Sequence, residues 1–414
     1  MIRRYRLSSY LAGAMAARTG DEMSGPALLL VGLAVTGSAS AASALLAGIT
    51  VSAAVGGPVI GAMLDRAARP GRLLAGALAA YAMTLLLILL GLGRIPLPVA
   101  IAVAVLGGLL GPALAGGWTA QLPRVAAPDG LPRATALDAL TYNVAGLAGP
   151  VLAGLVALLA GAPAGVVVSL ALIMLALPAA WALPARSSPE GGPAGASRGA
   201  PATSIADDLV SGFVAIASTR PLARATLTSV VSYVGLGMLV TCTPLLGDAA
   251  FGSPHSGTFL LTVLAAAALA ANALLAKHPG LLRPDATVLA STLVLGAAFA
   301  LAATASPVPL VAAMVVAGAA EGPQLTALFA VRHREAPERL RGQIFTTGAS
   351  LKITGYAVGA GLGGPLATWS LPGALLAAAA CELLAAAGYL ACGAPSRRVG
   401  GRPPRSWTRA GSGT

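Results

Sequence analysis

Residues 58–94 read PVIGAMLDRAARPGRLLAGALAAYAMTLLLILLGLGR, an apolar run, a short basic loop and a second apolar run. The loop carries Arg66, Arg69 and Arg72, and the run that follows holds no charged residue until Arg94. Because a helix rises about 1.5 Å per residue, about 20 apolar residues cross about 30 Å of hydrocarbon. The stretch therefore predicts the end of one membrane-spanning helix and the whole of the next.

The composition of the whole chain points the same way. Only 10% of the 414 residues are charged, 57% are hydrophobic and the mean hydropathy is +0.82. A soluble domain carries about 25% charged residues to cover its surface, so this chain must have lipid as its solvent. The formal net charge of +12 comes from arginines in short loops and tails. That pattern indicates attraction to anionic lipid and excludes a nucleic-acid-binding domain.

Apolar runs broken at clusters of glycine, proline and arginine predict twelve spans, and hence an all-α integral membrane protein. Their approximate bounds are 8–36, 41–64, 73–93, 98–120, 134–160, 164–183, 222–247, 256–277, 286–305, 308–331, 342–370 and 372–393. We expect a six-helix half over 1–183, a cytoplasmic linker with a short interfacial helix over 184–221, a second half over 222–393 and a basic tail over 394–414. The linker prediction rests on its proline, glycine and serine content.

The basic residues support this count and orient the chain. If the N-terminus is cytoplasmic, 23 of the 26 lysines and arginines fall in cytoplasmic loops and tails, Arg94 alone falls outside, and Arg18 and Lys352 lie inside spans. The positive-inside rule gives this alternation only when the number of spans between loops is correct. Arginine outnumbers lysine 24 to 2, which is typical of a bacterium with a GC-rich genome. We therefore expect a multi-pass protein of the bacterial inner membrane with both termini cytoplasmic.

Three motifs resemble those of the major facilitator superfamily. The loop after the second span is similar to the superfamily's G-x-x-x-D-R/K-x-G-R-R/K signature, through Gly61, Asp65, Arg66, Arg69, Gly71 and Arg72. The fifth span is similar to an antiporter motif, through Gly146, Gly149, Pro150 and Gly154. The third, Arg18-Thr-Gly-Asp21, resembles a pattern of bacterial efflux branches. A parallel repeat of six spans is also the layout of this fold.

The resemblance implies a gating role for Asp65. In the family's arrangement this carboxylate meets the N-terminus of the eleventh span, which would begin near Gly342, and the contact closes the cytoplasmic side. The alternative is a local surface pair with Arg66 or Arg69, which contributes at most about 1 kcal/mol. The fifth-span glycines and Pro150 would allow close helix approach and a bend, although ordinary packing of small residues explains them as well.

Charged residues inside spans are costly and are therefore candidates for function. The candidates for proton coupling are Arg18, Asp21, Glu22, Glu321 and Lys352. Arg18 can reach Asp21 at i+3 or Glu22 at i+4 and can neutralise only one of them. Lys352 could be matched by Glu321 or Asn143, whereas we expect Glu382 to form a structural contact. Candidates for lining the substrate cavity are Trp118, Tyr142, Asn143, Tyr233, Asn272 and Gln324.

The sequence predicts a transporter and no enzyme. Three cysteines without a CxxC, and histidines in or beside loops without paired spacing, predict no metal and no cofactor. No G-x-x-x-x-G-K-S/T loop is present, which argues against ATP drive. We expect a monomeric, proton-coupled exporter of a small amphipathic or drug-like molecule that works by alternating access. Two alternatives stay open: an uptake symporter of the same fold, and a non-transporting membrane sensor or assembly subunit.

Overall fold

The computed structural model describes residues 2–186, 205–253 and 255–392. Over these ranges the chain forms thirteen α-helices and no β-strand. They are α1 (Ile2–Thr36), α2 (Ala39–Arg66), α3 (Pro70–Gly91), α4 (Leu97–Gly108), α5 (Leu131–Ala160), α6 (Ala162–Trp181), α7 (Ile205–Ser218), α8 (Arg220–Phe251), α9 (Ser256–Lys277), α10 (Pro284–Ala302), α11 (Pro307–Glu335), α12 (Arg341–Trp369) and α13 (Leu371–Ala391).

Twelve of these helices correspond to the twelve predicted spans, and the short α7 lies where the sequence predicted an interfacial helix. Several helices run further than the apolar runs, because helix ends can carry polar residues that project beyond the hydrocarbon. The clearest case is α11, which continues through Arg332 to Glu335 although the predicted span ended at residue 331. Linker residues 187–204 and the predicted tail lie outside the described residues.

Ten helices of the described chain are long and apolar enough to cross a membrane by composition alone. The two long helices that fall short of this measure are α1 and α12. The first holds Arg18, Asp21 and Glu22, and the second holds Lys352 among many glycines and threonines. Reduced apolarity is tolerated where a helix faces protein or a water-filled cavity instead of lipid. The sequence thus separates these two helices from those that contact lipid.

The fourth span is not a continuous α-helix. It passes from α4 through a turn at Leu109 and Leu110, directly before Gly111 and Pro112, into a π-helical segment, Ala113–Gly117. Proline cannot donate a backbone hydrogen bond and clashes with the preceding turn, which accounts for the break. The segment lies where the first half contacts α12, since a Cβ atom on Gly116 would be 2.4 Å from the Phe345 carbonyl oxygen.

Each half has its own hydrophobic core. The largest buried cluster draws only on residues between Tyr10 and Ala180, with the rings of Tyr10, Tyr81 and Trp118 at its centre. A second cluster draws on residues between Met238 and Ala379. Because each large core lies within one six-helix unit, the two units can move against each other without disrupting either core.

The halves meet chiefly on one side of the molecule, which we call the linker side because α6 ends and α7 and α8 begin there. One seam joins α2 to α12, and the other joins the start of α5 to the end of α9. Farther along the first seam, toward the other side, an apolar cleft of about 250 Å³ opens between Val51 and Val358. The two halves are therefore joined on the linker side and separated by this cleft farther along the seam.

Candidate functional site

The contact predicted for Asp65 is present. Its two carboxylate oxygens accept hydrogen bonds from the backbone N–H groups of Gly342 and Gln343, each at 2.8 Å. These are unpaired donors in the first turn of α12, where the helix dipole places partial positive charge. Asp65 is 9% exposed, so water hardly competes for these bonds. The bonds join the two halves across 277 residues of sequence.

The local alternative does not form in the structure. Arg66 instead pairs with Asp208 of α7, and α7 also contacts the second half, because the Gln343 side chain donates to the Leu209 carbonyl at 2.9 Å. The cation near Asp65 is Arg186, whose guanidinium nitrogen lies 3.7 Å from the carboxylate. The linker-side closure therefore comprises Asp65, the N-terminus of α12 and the helix that follows the linker.

Close backbone approach along the α2–α12 seam depends on glycine. A Cβ atom on Gly61 would lie 2.2 Å from the Thr346 hydroxyl and 2.3 Å from the Cα atom of Gln343. One turn earlier, the Gly57 N–H donates to the Ser350 hydroxyl at 3.1 Å, and that hydroxyl donates to the Ala53 carbonyl at 2.6 Å. Any side chain at Gly61 would push the two helices apart. The first glycine of the loop signature is thus explained by contact between the halves.

The rest of the loop signature lies away from this seam. Gly71, in the first turn of α3, packs against the end of α6, where a Cβ atom would be 2.4 Å from the Ala180 carbonyl oxygen. The guanidinium of Arg72 lies 5.1 Å from the ring centre of Trp181. Arg69 is exposed and precedes α3. Gly71 and Arg72 therefore attach the loop to the rest of the first half, and this attachment positions Asp65, which precedes the loop.

Arg18 does not pair with Asp21 or Glu22, and that prediction was wrong. Its guanidinium forms an ion pair with Asp138 of α5 at 2.9 Å and donates to the Thr119 hydroxyl at 2.8 Å. Helical side chains lean toward the N-terminus of their helix, so Arg18 points away from the residues that follow it. Asp138 is completely buried and also accepts a hydrogen bond from Tyr10. Both charges are therefore satisfied within the first half.

Asp21 and Glu22 consequently have no cation on their own helix. The Tyr81 hydroxyl donates to Asp21 at 2.8 Å, and Ser24 contacts the same hydroxyl, so Asp21 faces the interior of the first half. Glu22 is exposed and lies within electrostatic range of Lys352 and Tyr356 of α12. Adjacent acids on α1 thus face different surroundings, one toward a tyrosine and the other toward the opposite half.

The second half places a matching group opposite Glu22. Lys352 donates to the Tyr233 hydroxyl at 3.3 Å, and that hydroxyl donates to the Glu321 carboxylate at 3.2 Å. The Lys352 ammonium also lies 4.5 Å from the Tyr233 ring centre and 5.5 Å from that of Tyr142. The ammonium thus reaches Glu321 of its own half through the Tyr233 hydroxyl, and it lies within electrostatic range of Glu22 of the other half without a direct ion pair to either carboxylate in the described chain. We call Glu22, Tyr233, Glu321 and Lys352 the central cluster.

Aromatic rings join the two halves near the central cluster. Tyr142 of α5 lies 5.4 Å from Phe329 of α11, and Phe329 lies 5.9 Å from Phe345 of α12, measured between ring centres. The guanidinium of Arg18 lies 3.8 Å from the centre of the Tyr142 ring on its other side. Since Tyr142 belongs to the first half and the phenylalanines to the second, these rings must separate when the linker side opens.

Two buried residues of this region, Arg332 and His333, were not identified from the sequence. Arg332 is 2% exposed, lies against Gly348, and has no hydrogen-bond partner for Nε or for one terminal nitrogen in the described chain. His333 is buried 4.5 Å from the Phe345 ring, whereas we expected a histidine in or beside a loop. The signal was available, because Arg332 follows Glu321 by eleven residues and therefore shares its helix face.

Only one glycine of the fifth-span motif makes a close approach. A Cβ atom on Gly149 would lie 2.6 Å from the Cβ atom of Glu22, so this glycine lets α1 pack against α5 beside the central cluster. A Cβ atom on Gly146 or Gly154 would have no neighbouring atom within 4 Å. The expectation that these glycines also allow close helix approach is therefore wrong. The helix continues through Pro150, which is exposed.

Three of the six cavity candidates lie elsewhere. Trp118 is completely buried in the core of the first half, 6.0 Å from the Tyr10 ring. Asn272 accepts a hydrogen bond from Thr326 at 2.8 Å, and Gln324 donates to Thr292 at 2.8 Å, both within the second half. Large or polar side chains in spans can either line a cavity or contact another helix of the same half. Residue type alone does not distinguish these two roles. Tyr142 does face the other half through its contact with Phe329, Tyr233 belongs to the central cluster, and Asn143 is partly buried on α5.

Glu382 belongs to the polar interior of the second half. It is completely buried on α13 and accepts a hydrogen bond from Ser232 of α8 at 2.8 Å. Ser232 also lies 3.3 Å from the Gln324 amide nitrogen. The contact thus joins three helices of one half, which agrees with the structural role predicted from the sequence. Within the described ranges, no group of three or more histidine, cysteine, aspartate or glutamate side chains could hold a metal ion.

Comparison with known proteins agrees with this architecture. Residues 10–360 match the sequence profile of the Major Facilitator Superfamily. No protein of curated function matches the chain by sequence. Among solved structures, a bacterial homologue of the iron transporter ferroportin in the outward-facing state is similar, with a TM-score of 0.74 and 16% identity over 94% of this chain and 99% of that one.

Two further solved structures share the fold at low sequence identity. The human organic anion transporter MFSD10 (TETRAN) has a TM-score of 0.72 and 16% identity, over 94% of this chain and 99% of that one. The E. coli fucose:proton symporter FucP has a TM-score of 0.69 and 13% identity, over 92% and 97%. The predicted all-α, two-half fold is confirmed, and the profile spans most of the chain. The chain belongs to the Major Facilitator Superfamily, a family of transporters and not of enzymes, and is a multi-pass membrane transporter.

Proposed function

We propose that this transporter is a proton-coupled exporter of a small amphipathic molecule and that its linker side faces the cytoplasm. The observation that carries the proposal is the central cluster, in which Glu321, linked to Lys352 through Tyr233, and Glu22 both lie within electrostatic range of the same ammonium. One ammonium cannot neutralise two carboxylates. In a cavity of low dielectric constant, the remaining charge favours uptake of a proton or of a cationic group.

The position of Glu22 supports an exchange of these two ligands. It is the exposed acid of α1, and the cavity it faces is closed on the linker side. With the linker side toward the cytoplasm, Glu22 would take up a proton from outside and so displace a substrate carried out from the cytoplasm. The orientation itself rests on the 23-to-1 distribution of basic residues.

A test of coupling that needs no known substrate follows the opening of the linker side. Ala139 is completely buried between the halves, so Ala139→Cys in a cysteine-free background should react with a thiol reagent only when that side opens. Because the thiolate is the reacting form, the rate is divided by the thiolate fraction at each pH. We expect this corrected rate to depend on pH, and Glu22→Gln or Glu321→Gln to reduce that dependence. Glu335→Gln is the matched control, because Glu335 lies on α11 but pairs with Arg334 at the helix end.

Transport itself should then be measured in proteoliposomes with a panel of amphipathic compounds, beginning with ethidium. An exporter accumulates the compound against a gradient when protons flow the other way, and protons compete with the compound for binding. In the uptake symporter, protons and substrate would bind together and the competition would be absent. A pH-independent rate of Ala139→Cys labelling and no counterflow for any compound would contradict the proposal and favour a non-transporting protein.

A further inference from the structure

Three arginines from three separate connections surround a polar cavity of about 400 Å³ on the linker side. Arg124 lies between α4 and α5, Arg186 follows α6, and Arg341 begins α12. Pro123 and Pro184 form part of the wall, and Glu338 contributes the acidic group. The first two arginines belong to the first half and Arg341 belongs to the second. The cavity therefore lies across the junction that Asp65 closes.

The described residues leave some donors of these arginines without an acceptor. Arg124 Nη1, Arg186 Nε and Arg341 Nε are buried and have no hydrogen-bond partner in the described part of the chain. Arg186 alone makes a polar contact there, donating to the Asp65 carbonyl and lying 3.7 Å from its carboxylate. Buried donors are normally satisfied, and three unsatisfied guanidinium nitrogens around one cavity indicate a missing acceptor.

Charge in the cavity is positive. The carboxylate that lines it is Glu338, which forms no ion pair within the described residues, whereas Asp65 lies beside Arg186 and already accepts two backbone N–H groups. Burial lowers the pKa of the Arg124 guanidinium below its ordinary value, and the neighbouring charge of Arg186 lowers it further. An anion in the cavity would relieve this repulsion and satisfy the free donors together.

We propose that this cavity, which we call the arginine pocket, binds a phosphate group, presented either by an anionic lipid headgroup or by a soluble phosphate. Guanidinium groups match phosphate because their fixed N–H donors pair with its oxygens two at a time. Since both halves supply donors, a bound phosphate holds the linker side closed and must leave before that side opens. The arginine pocket is thus a regulatory site distinct from the central cluster.

Binding can be tested directly on the purified protein in nanodiscs of phosphatidylcholine, with radiolabelled inorganic phosphate as the probe. We expect saturable binding that weakens at least tenfold in Arg124→Gln and Arg341→Gln. The matched control is Arg133→Gln, which removes an exposed arginine from the same region without touching the pocket. Glu338→Gln should tighten binding several-fold, because it removes the carboxylate that lines the pocket and repels the anion. A gain of this kind cannot result from misfolding.

A second arm identifies the source of the phosphate. In nanodiscs that contain phosphatidylglycerol, a lipid ligand would compete with soluble phosphate and reduce its binding, whereas undiminished binding would identify the soluble ion. In either case the occupied pocket should slow the reaction of Ala139→Cys several-fold, and Arg341→Gln should abolish the effect. Absence of saturable binding in both lipids, equal losses in Arg133→Gln and Arg341→Gln, or an unchanged reaction rate would overturn the proposal.

Discussion

Replacing Asp65 by asparagine isolates the charge at the junction of the halves, because the volume hardly changes. In the native protein each carboxylate oxygen accepts one backbone N–H of α12 at 2.8 Å. Asparagine keeps one acceptor oxygen and turns an NH₂ donor toward the other N–H group. The substitution therefore removes one hydrogen bond, opposes a donor to a donor, and deletes the negative charge at the helix N-terminus.

The structure allows a rough magnitude. A hydrogen bond to a charged group contributes about 1.5–3 kcal/mol, and a charge at a partly buried helix end contributes up to about 2 kcal/mol. These contributions overlap, so we take about 2 kcal/mol for the loss. Because the bonds exist only while α2 and α12 are together, the loss falls on the closed state. The ratio of closed to open molecules should fall roughly 30-fold, at about 1.4 kcal/mol per factor of ten.

Spin labels at Ala68 and Arg339, both exposed on the linker side of opposite halves, would report the distance distribution across the junction. Asp65→Asn should gain a longer-distance population while the protein stays folded and its transport slows. Asp129→Asn, which removes an exposed carboxylate on the same side, should leave the distribution unchanged. If Asp65→Asn shows the native distribution and the native rate across several proton gradients, Asp65 is a static helix cap and the gating role is wrong.

Three further predictions follow from other contacts. Gly61→Val should prevent closure of the linker side by steric overlap with α12, which the same distance measurement would detect as loss of the closed population. Arg18→Gln or Asp138→Asn should lower thermal stability and yield, because either leaves an unpaired buried charge at a cost of about 3–5 kcal/mol; a normal melting temperature would contradict this. An impermeant thiol reagent applied to intact cells should label a cysteine at His255 but not one at Glu190, and the reverse pattern would overturn the proposed orientation.

The Asp65 contact could be predicted because the loop around it resembles the superfamily's signature, and in the family's arrangement this carboxylate meets the start of the eleventh span. The physical reason, a carboxylate at a helix N-terminus, agrees with that placement but does not identify the helix by itself. The helix count was equally accessible, since the membrane forces long apolar runs and basic residues separate them. The division into two six-helix halves could therefore be predicted from hydropathy and charge, which can be read for every segment of the chain.

Side-chain pairing inside the membrane could not be predicted in the same way. Arg18 lies one turn from two acids on its own helix, yet its partner is Asp138, 120 residues away. The sequence gives spacing along one helix but not the rotation of that helix against its neighbours. Trp118 and Asn272 were misplaced for the same reason, because a buried polar or aromatic residue looks alike whether it faces a cavity or another helix of its half.

The junction and the central cluster are linked through a single helix. Gly342 and Gln343 hold Asp65 at the start of α12, Ser350 contacts α2, and Lys352 lies about 15 Å from the helix start at 1.5 Å per residue. If α12 moves with its half as a rigid body, opening of the linker side displaces Lys352 relative to Glu22. The carboxylate left without its cation must then acquire a proton or a substrate charge. The motion that breaks the Asp65 contact would thereby leave Glu22 able to bind a proton or a cationic substrate. A carrier that couples two ligands requires such a link between opening and binding.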